Sequence, residues 1–295
     1  MTQRRQLQDR LVRLGESGEI IRSMKNLAFM ETRKLDRLIE HLRGVVRQID
    51  AVAADFLAFH PETLPAAPPS YRVYLVVGSR RGFCGDFNER LAARLQRELM
   101  ETDAAQAGVI AVGHKLCLRL GADPAPEAQL DGADVAEEIP SVLRAIVDEL
   151  DRQRKRHGVL ALSVLYHQAA APEPLLEPLL PPFEAHRGQS PPQGFAPLLN
   201  LAPRDFLLEL GEQYLFAALH AVLCESLLAE SERRVRHLDG AVRHLEEQLA
   251  TLQRRVQRLR QEEIIEEIEV ILLNAAQFDQ ADSAPGHGPD PVRGP

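Results

Sequence analysis

The chain has 295 residues, 45% of them hydrophobic and 26% charged, which suits a soluble protein able to bury a sizeable core. Aromatic residues make up 5% with no Trp, and 43 acidic against 35 basic side chains leave a net charge of −8. That balance excludes a general nucleic-acid binder, and the scarcity of aromatics argues against a surface for stacking bases or sugars.

The three cysteines, Cys84, Cys117 and Cys224, lie far apart with no CxxC pair, so neither a disulfide framework nor a zinc site is expected. The opening MTQRRQLQDR has no apolar leader, and no run of about 18 apolar residues occurs. The expectation is a cytosolic chain, or one held at a membrane only through partners. Charge is uneven: residues 1–50 carry +4, residues 231–263 carry +2, and the remainder carries −14. Basic ends and an acidic middle imply different partners.

The first predicted element is a long helix. Leu35, Leu38, Leu42, Val45, Ile49, Val52, Phe56 and Phe59 alternate steps of three and four, the spacing of a coiled-coil seam. Leu7, Leu11 and Leu14 keep that spacing upstream, although Gly15 and Gly18 weaken a helix by roughly 1 kcal/mol each relative to Ala. His60-Pro61 ends the helix, and Pro65, Pro68 and Pro69 mark a linker over 61–70.

The middle, residues 71–203, changes character. YRVYLVV (71–77), GVIAVG (108–113) and VLALSVLYHQ (159–168) read as buried strands, separated by helical patterns at 87–101, through Leu120 and at 136–156. Alternating strands and helices predict a small parallel-sheet α/β domain. Proline recurs from 172 to 203, allowing at most one short strand near Leu175–Leu180. The last helix is predicted from about Pro203 to Phe278; 204–278 unbroken would span about 110 Å. Val235, Leu238, Val242, Leu245, Leu249, Leu252, Val256 and Leu259 form its seam, after which Ile264, Ile268, Ile271, Ala275 and Phe278 form a new stripe. Two seams at opposite ends of one chain pack most simply on each other, as an antiparallel coiled coil of the N-terminal (1–60) and C-terminal helices. Residues 279–295, rich in Pro, Gly and Asp, are expected to be disordered.

Candidate chemistry is sparse. Gly78, Gly82 and Gly85 follow a strand and precede a helix, where a phosphate cradle would sit, but the spacing is GxxxGxxG and no lysine follows. A tight strand-to-helix turn, with Asp86 as N-cap, is the preferred reading. Cys84 has no histidine partner nearby, and the pairs His220/Cys224 and His237/His244 lack further ligands for a metal. No catalytic, cofactor or metal site is expected.

Four stretches in order resemble the γ subunit of F-type rotary ATP synthases. Ile20-Ile21-Arg22-Ser23-Met24-Lys25 is similar to that family's Ile-Thr-Lys-Ala-Met segment. Ser79-Arg80-Arg81-Gly82-Phe83-Cys84-Gly85-Asp86-Phe87-Asn88 is similar to its Ser-Asp-Arg-Gly-Leu-Cys-Gly-Gly-Leu-Asn. Glu225-Ser226, Glu230 and Arg234 match its Glu-Ser and Ser-Glu-x-x-Ala-Arg-Met pattern, and Arg260-Gln261 with Ile264 through Ala275 resembles Arg-Gln-x-x-Ile-Thr-x-Glu. The match extends over roughly residues 4–278. Ile21, Arg80, Ile265, Val270 and Asn274 depart from the pattern, as in a divergent member such as the alternate ATPase branch of some bacteria.

The resemblance implies a non-catalytic rotor shaft inside a ring of α and β subunits, with the ε subunit and the membrane c-ring at its foot, on the cytoplasmic face of the cell membrane. It implies that Met24, Arg234, Arg260 and Gln261 meet the acidic lever loops of β, and that a tip with Ile264, Ile268, Ile271 and Phe278 sits in an apolar bearing. It also places Arg81, Gly82, Cys84, Gly85 and Asn88 at the foot of the rotor. The alternative without the resemblance is a cytosolic coiled-coil adaptor whose α/β domain binds a small phosphorylated ligand.

Overall fold

The computed structural model describes residues 2–65, 68–101, 106–121, 125–169, 171–188 and 198–282, with side chains as far as Leu272. Among the described residues five α-helices and five strands follow one another, besides three short 3-10 turns: α1 (Thr2–Phe59), β1 (Tyr71–Val77), α2 (Phe87–Met100), β2 (Ala107–Val112), α3 (His114–Leu120), β3 (Ala128–Leu130), α4 (Ile139–His157), β4 (Leu160–Tyr166), β5 (Leu175–Leu180) and α5 (Pro203–Asp282). The chain divides into two units, residues 22–240 and residues 1–21 with 241–295. The predicted tail beyond 282 lies outside the described residues.

In the larger unit the sheet order is β3-β2-β1-β4-β5. Strands β1 to β4 pair in parallel, while β5 pairs antiparallel to β4, so the sheet is mixed rather than wholly parallel. The cause is chain length: only eight residues separate Tyr166 from Leu175, too few for a parallel crossover. At the edge of the sheet, β5 also tolerates Pro178, which has no N–H to give to a ladder. The three-residue β3 carries no periodicity in the sequence and was not predicted.

In β1 every residue except Arg72 is buried, because both faces of the sheet are covered. Val73, Leu75 and Val77 face one core together with Leu35 and Ile39 of α1, Ile139, Leu143 and Ile146 of α4, and Leu219, Leu223 and Leu227 of α5. Tyr74 and Val76 face a second core with Phe87, Leu91 and Leu95 of α2 and Leu116 of α3. A continuous apolar strand is thereby explained by helices on both sides.

Within this unit α1 and α5 run antiparallel: Lys25 pairs with Asp239 (3.1 Å) and Arg43 with Glu225 (2.5 Å), so partners on α5 fall in number as those on α1 rise. The phase of the α1 seam differs from the prediction. Leu35 and Phe56 are buried as expected, but Val45 and Val52 are 44% and 46% exposed, whereas Ile39 and Ala53 are buried. The true stripe adds a residue four positions on where the predicted one added three. Here α1 packs on α4 and the sheet as well as on α5, so a straight helix of 3.6 residues per turn replaces the 3.5 repeat of a two-helix seam.

In the smaller unit Leu7, Leu11 and Leu14 are half-buried, as are Leu245, Leu249, Leu252, Val256 and Leu259, while Val242 is buried. Arg4 pairs with Glu263 at 3.2 Å. Here the predicted α5 seam holds its phase. One 18-residue stretch of α5 has the length and composition of a membrane-crossing helix, with mean hydropathy 1.3, and a third of it is buried within the protein.

Candidate functional site

The glycine turn between β1 and α2 is where the sequence placed its only candidate cradle. Gly78 N donates to Val112 O (2.9 Å), which ties the turn to the neighbouring strand. A Cβ on Gly78 would lie 2.5 Å from Leu116 Cβ, and one on Gly113, whose φ is +108°, would lie 2.5 Å from Gly78 O. Glycine at these two positions therefore serves close backbone packing. The side chain of Asn88 then closes the turn: its Oδ1 accepts from Ser79 N (3.0 Å) and its Nδ2 donates to Ser79 Oγ (2.8 Å). Cys84 Sγ donates to the same hydroxyl at 3.4 Å, and burial pushes this thiol up.

Asp86 occupies the N-cap position of α2 but makes no side-chain cap, contrary to expectation. Its carboxylate instead accepts from Arg90 (2.6 Å) and Arg233 (3.4 Å), and the Arg90 hydrogen bond holds its carboxyl below the usual range. A charged pair outcompetes the weaker backbone cap. The turn is thus closed by Asn88, while Asp86 ties it to α5 through Arg233.

The strand order reverses between β1 and β4, and the carboxyl ends of strands at such a point form the usual ligand crevice of an open α/β sheet. Here α5 fills it. Ser226 Oγ donates to Val77 O, the last carbonyl of β1, at 3.2 Å. Gln168, just past β4, donates Nε2 to Glu225 Oε2 at 3.1 Å. One turn further along α5, Glu230 and Arg234 form an ion pair that is almost fully buried, and Arg234 Nε donates to Gly82 O at 3.3 Å. Burial pushes the Glu230 carboxyl up to about 7, with Arg234 opposing the rise.

Arg233 lies beside this pair. Its Nη2 donates to His167 Nδ1 (3.2 Å), leaving Nε2–H of that ring to donate to Phe87 O (3.0 Å). The guanidinium also sits 5.4 Å from the Phe87 ring centroid. Burial pulls His167 down to about 4, and the nearby Arg233 and Arg90 add to that. The imidazole is therefore neutral at physiological pH and can accept from an arginine.

Of the residues singled out from sequence, Arg234 and Gly82 are brought together although they were assigned to separate contacts 152 positions apart. Gly82 and Gly85 line the turn, and Cys84 and Asn88 are buried within it. Arg81 projects outward, with its side chain 67% exposed, and pairs with Asp134 at 2.9 Å. Arg80, one of the departures, pairs with Glu138 (2.9 Å) and Asp134 (3.3 Å), anchoring the turn to the segment before α4.

Met24 is half-buried on α1. In the smaller unit Arg260 and Gln261 are exposed, as are Ile264, Ile268 and Ile271. Phe278 continues α5, its side chain lying outside the described residues.

Sequence reasoning missed His167 and Arg233. The only signals were a polar YHQ ending to an apolar strand and a second arginine beside Arg234. Among the described residues no group of three or more His, Cys, Asp or Glu side chains is placed to hold a metal ion.

The family model described as ATP synthase matches residues 3–276. A chain named ATP synthase gamma chain from Pelotomaculum thermopropionicum is 24% identical over 288 residues, covering 93% of this chain and 99% of the relative. One of the same name from Anaeromyxobacter sp. is 26% identical over 294 residues, covering 92% and 97%. In fold, a chain of the Euglena gracilis mitochondrial ATP synthase OSCP/F1/c-ring structure, in rotational state 3, aligns with a TM-score of 0.58 at 17% identity, covering 99% of both chains. A chain of the Tetrahymena thermophila mitochondrial ATP synthase central stalk and c-ring structure aligns with a TM-score of 0.56 at 14% identity, covering 75% of this chain and 99% of the other.

Proposed function

Because the chain belongs to the ATP synthase γ-subunit family, we propose that it is the central rotor stalk of an F-type enzyme, peripheral to the membrane on its cytoplasmic face. It is a non-catalytic subunit: the nucleotide sites belong to the surrounding ring of α and β subunits, and the chain's task is to turn within that ring. Rotation driven from the membrane c-ring, with the ε subunit alongside, forces the β subunits through different nucleotide affinities; hydrolysis runs the same cycle backwards.

The observation that carries this reading at residue level is the exposed apolar surface near the end of α5. Ile264, Ile265, Ile268, Val270, Ile271 and Leu272 are each between 46% and 65% exposed. At about 100° per residue, Ile264, Ile265, Ile268, Ile271 and Leu272 share one broad face of α5 with Val270 off to one side, and an exposed apolar face of that width calls for a partner. An apolar bearing inside the α/β ring supplies one, and Phe278 belongs to the same proposed tip by its place along α5. Just before it, the exposed Arg260 and Gln261 meet the acidic lever loops of β, as does Met24 from α1. Arg81, exposed on the glycine turn while paired with Asp134, faces the subunits at the foot. Arg234 is absent from this contact set because its guanidinium is committed to Glu230 and Gly82 inside the protein.

Arg260→Ala combined with Gln261→Ala, in a complex assembled with α and β subunits, should lower ATP hydrolysis about threefold to tenfold. That is the size expected from two interface contacts of about 1 kcal/mol or less each. Unchanged hydrolysis would remove these two residues from the lever-loop contact.

A further inference from the structure

Resting on the rotor reading, we infer that Ser226, Glu230 and Arg234 form a torque clamp, locking helix α5 against rotation about its own axis relative to the α/β sheet. The residues recur on one face of α5 at spacings of four, and each acts on backbone carbonyls of β1 or its turn, directly or through its neighbour. Ser226 Oγ holds Val77 O, and Arg234 Nε holds Gly82 O. Glu230 is the positioning residue: it is 3% exposed and fixes the Arg234 guanidinium through their ion pair.

A polar anchor at this place differs in kind from the packing around it. The apolar contacts of α5 with the sheet, through Leu219, Val222, Leu223 and Leu227, resist separation but are non-directional. A helix can slip against such a surface by exchanging one set of contacts for another. Hydrogen bonds weaken steeply when misaligned, so turning α5 by even part of one residue step breaks the bonds to Val77 and Gly82. Breaking them would leave a buried ion pair and a buried hydroxyl without their partners.

The anchored carbonyls also suit the load. Val77 ends the central strand, which is hydrogen-bonded to β2 on one side and β4 on the other. The turn that presents Gly82 is itself braced by Asn88 and by the Arg80 and Arg81 ion pairs. Torque delivered at the sheet therefore reaches α5 through directional contacts at both ends of one stiff turn. The ligand crevice of an ordinary α/β fold has become the socket of a drive shaft.

The test is Glu230→Leu/Arg234→Met in the full complex with α, β, ε and the membrane sector. Replacing a buried ion pair with apolar residues of similar size commonly preserves or raises stability, so a role limited to folding is satisfied by this double variant. The readout is the number of ions pumped per ATP hydrolysed, with the melting temperature measured on the same preparation. The clamp predicts an undiminished melting temperature with a pumping ratio lowered at least about twofold, because the directional bond to Gly82 is gone. A wild-type pumping ratio in the folded double variant would overturn the clamp while leaving the rotor reading intact. A wild-type chain that neither joined the α/β ring nor supported pumping would overturn the rotor reading and the clamp with it.

Discussion

Arg234→Ala should destabilise the chain by about 3–5 kcal/mol at pH 8, the loss expected when one partner of a buried ion pair is removed. Glu230 would remain, buried without its cation, and would fold only by taking up a proton. Its carboxyl already stands at about 7 with Arg234 present, so without Arg234 it must move higher still. A folded-state value above the unfolded one contributes stability that is fully present below the unfolded value, near 4.5, and is lost as pH rises through the folded one. The cost of Arg234→Ala should accordingly grow from pH 6 to pH 8. Arg260→Ala, on an exposed helix face, should change stability by no more than about 0.5 kcal/mol. Urea unfolding of the three proteins at the two pH values separates these cases. An Arg234→Ala cost below about 1 kcal/mol, or one that ignores pH, would mean that the Glu230–Arg234 pair is not the buried unit described above.

The second large effect belongs to His167 and has the opposite sign with pH. Its folded value of about 4 lies below the ordinary 6.5, so the neutral ring is the one the fold accommodates. Between pH 6.5 and 4 the unfolded chain binds the extra proton and the folded chain does not, so stability falls as pH drops through that window. Above 6.5 the contribution is complete, and below 4 it changes no further. The loss amounts to about 3 kcal/mol for a difference of this size.

Protonation has a structural cost that explains the preference: a charged ring cannot accept from Arg233, and it would place a third positive charge beside Arg233 and Arg90. Glu230 shifts stability the other way across pH 4.5–7, so wild-type melting alone does not isolate the histidine. Comparison with His167→Gln does, because the amide lacks the titration and leaves Glu230 in place. Wild type should lose stability relative to the variant as pH falls from 7 to 4. Parallel curves would show that His167 is not held neutral by its burial.

Much of the architecture was legible because local chemistry and tertiary structure agree. His60-Pro61 ends α1 because proline can neither continue the helix nor supply an N–H, and helix α1 stops at Phe59. The largely apolar YRVYLVV became a central strand covered on both faces. The α5 seam kept its phase over residues 242–259, where nothing but a helix segment is needed as partner.

The errors arose where a third surface intervened. The α1 stripe moved by one residue at Ile39, where α4 and the sheet share that face, and at Ala53, which packs with Leu64, Phe183 and Leu207, and no count of leucines registers a buried alanine. Asp86 had the residue type and place of a cap but was claimed by arginines, one of them 147 positions away.

Arg234 is the most instructive position. Its motif is readable, yet an exposed contact and an internal anchor use the same arginine, and only the arrival of Gly82 distinguishes them. The glycine turn could be located from its spacing, and its two tightest glycines serve close backbone packing. What occupies the crevice beyond it, a helix from the far end of the chain, has no local signature.

The measurement that bears most directly on the rotor reading is reconstitution of the chain with α and β subunits from the same source, followed by size-exclusion chromatography and an ATPase assay. A rotor stalk predicts one complex near 1:3:3 stoichiometry, hydrolysing ATP faster than α and β alone, with no nucleotide bound by the isolated chain. Elution of the chain by itself, with α/β activity unchanged, would contradict that account.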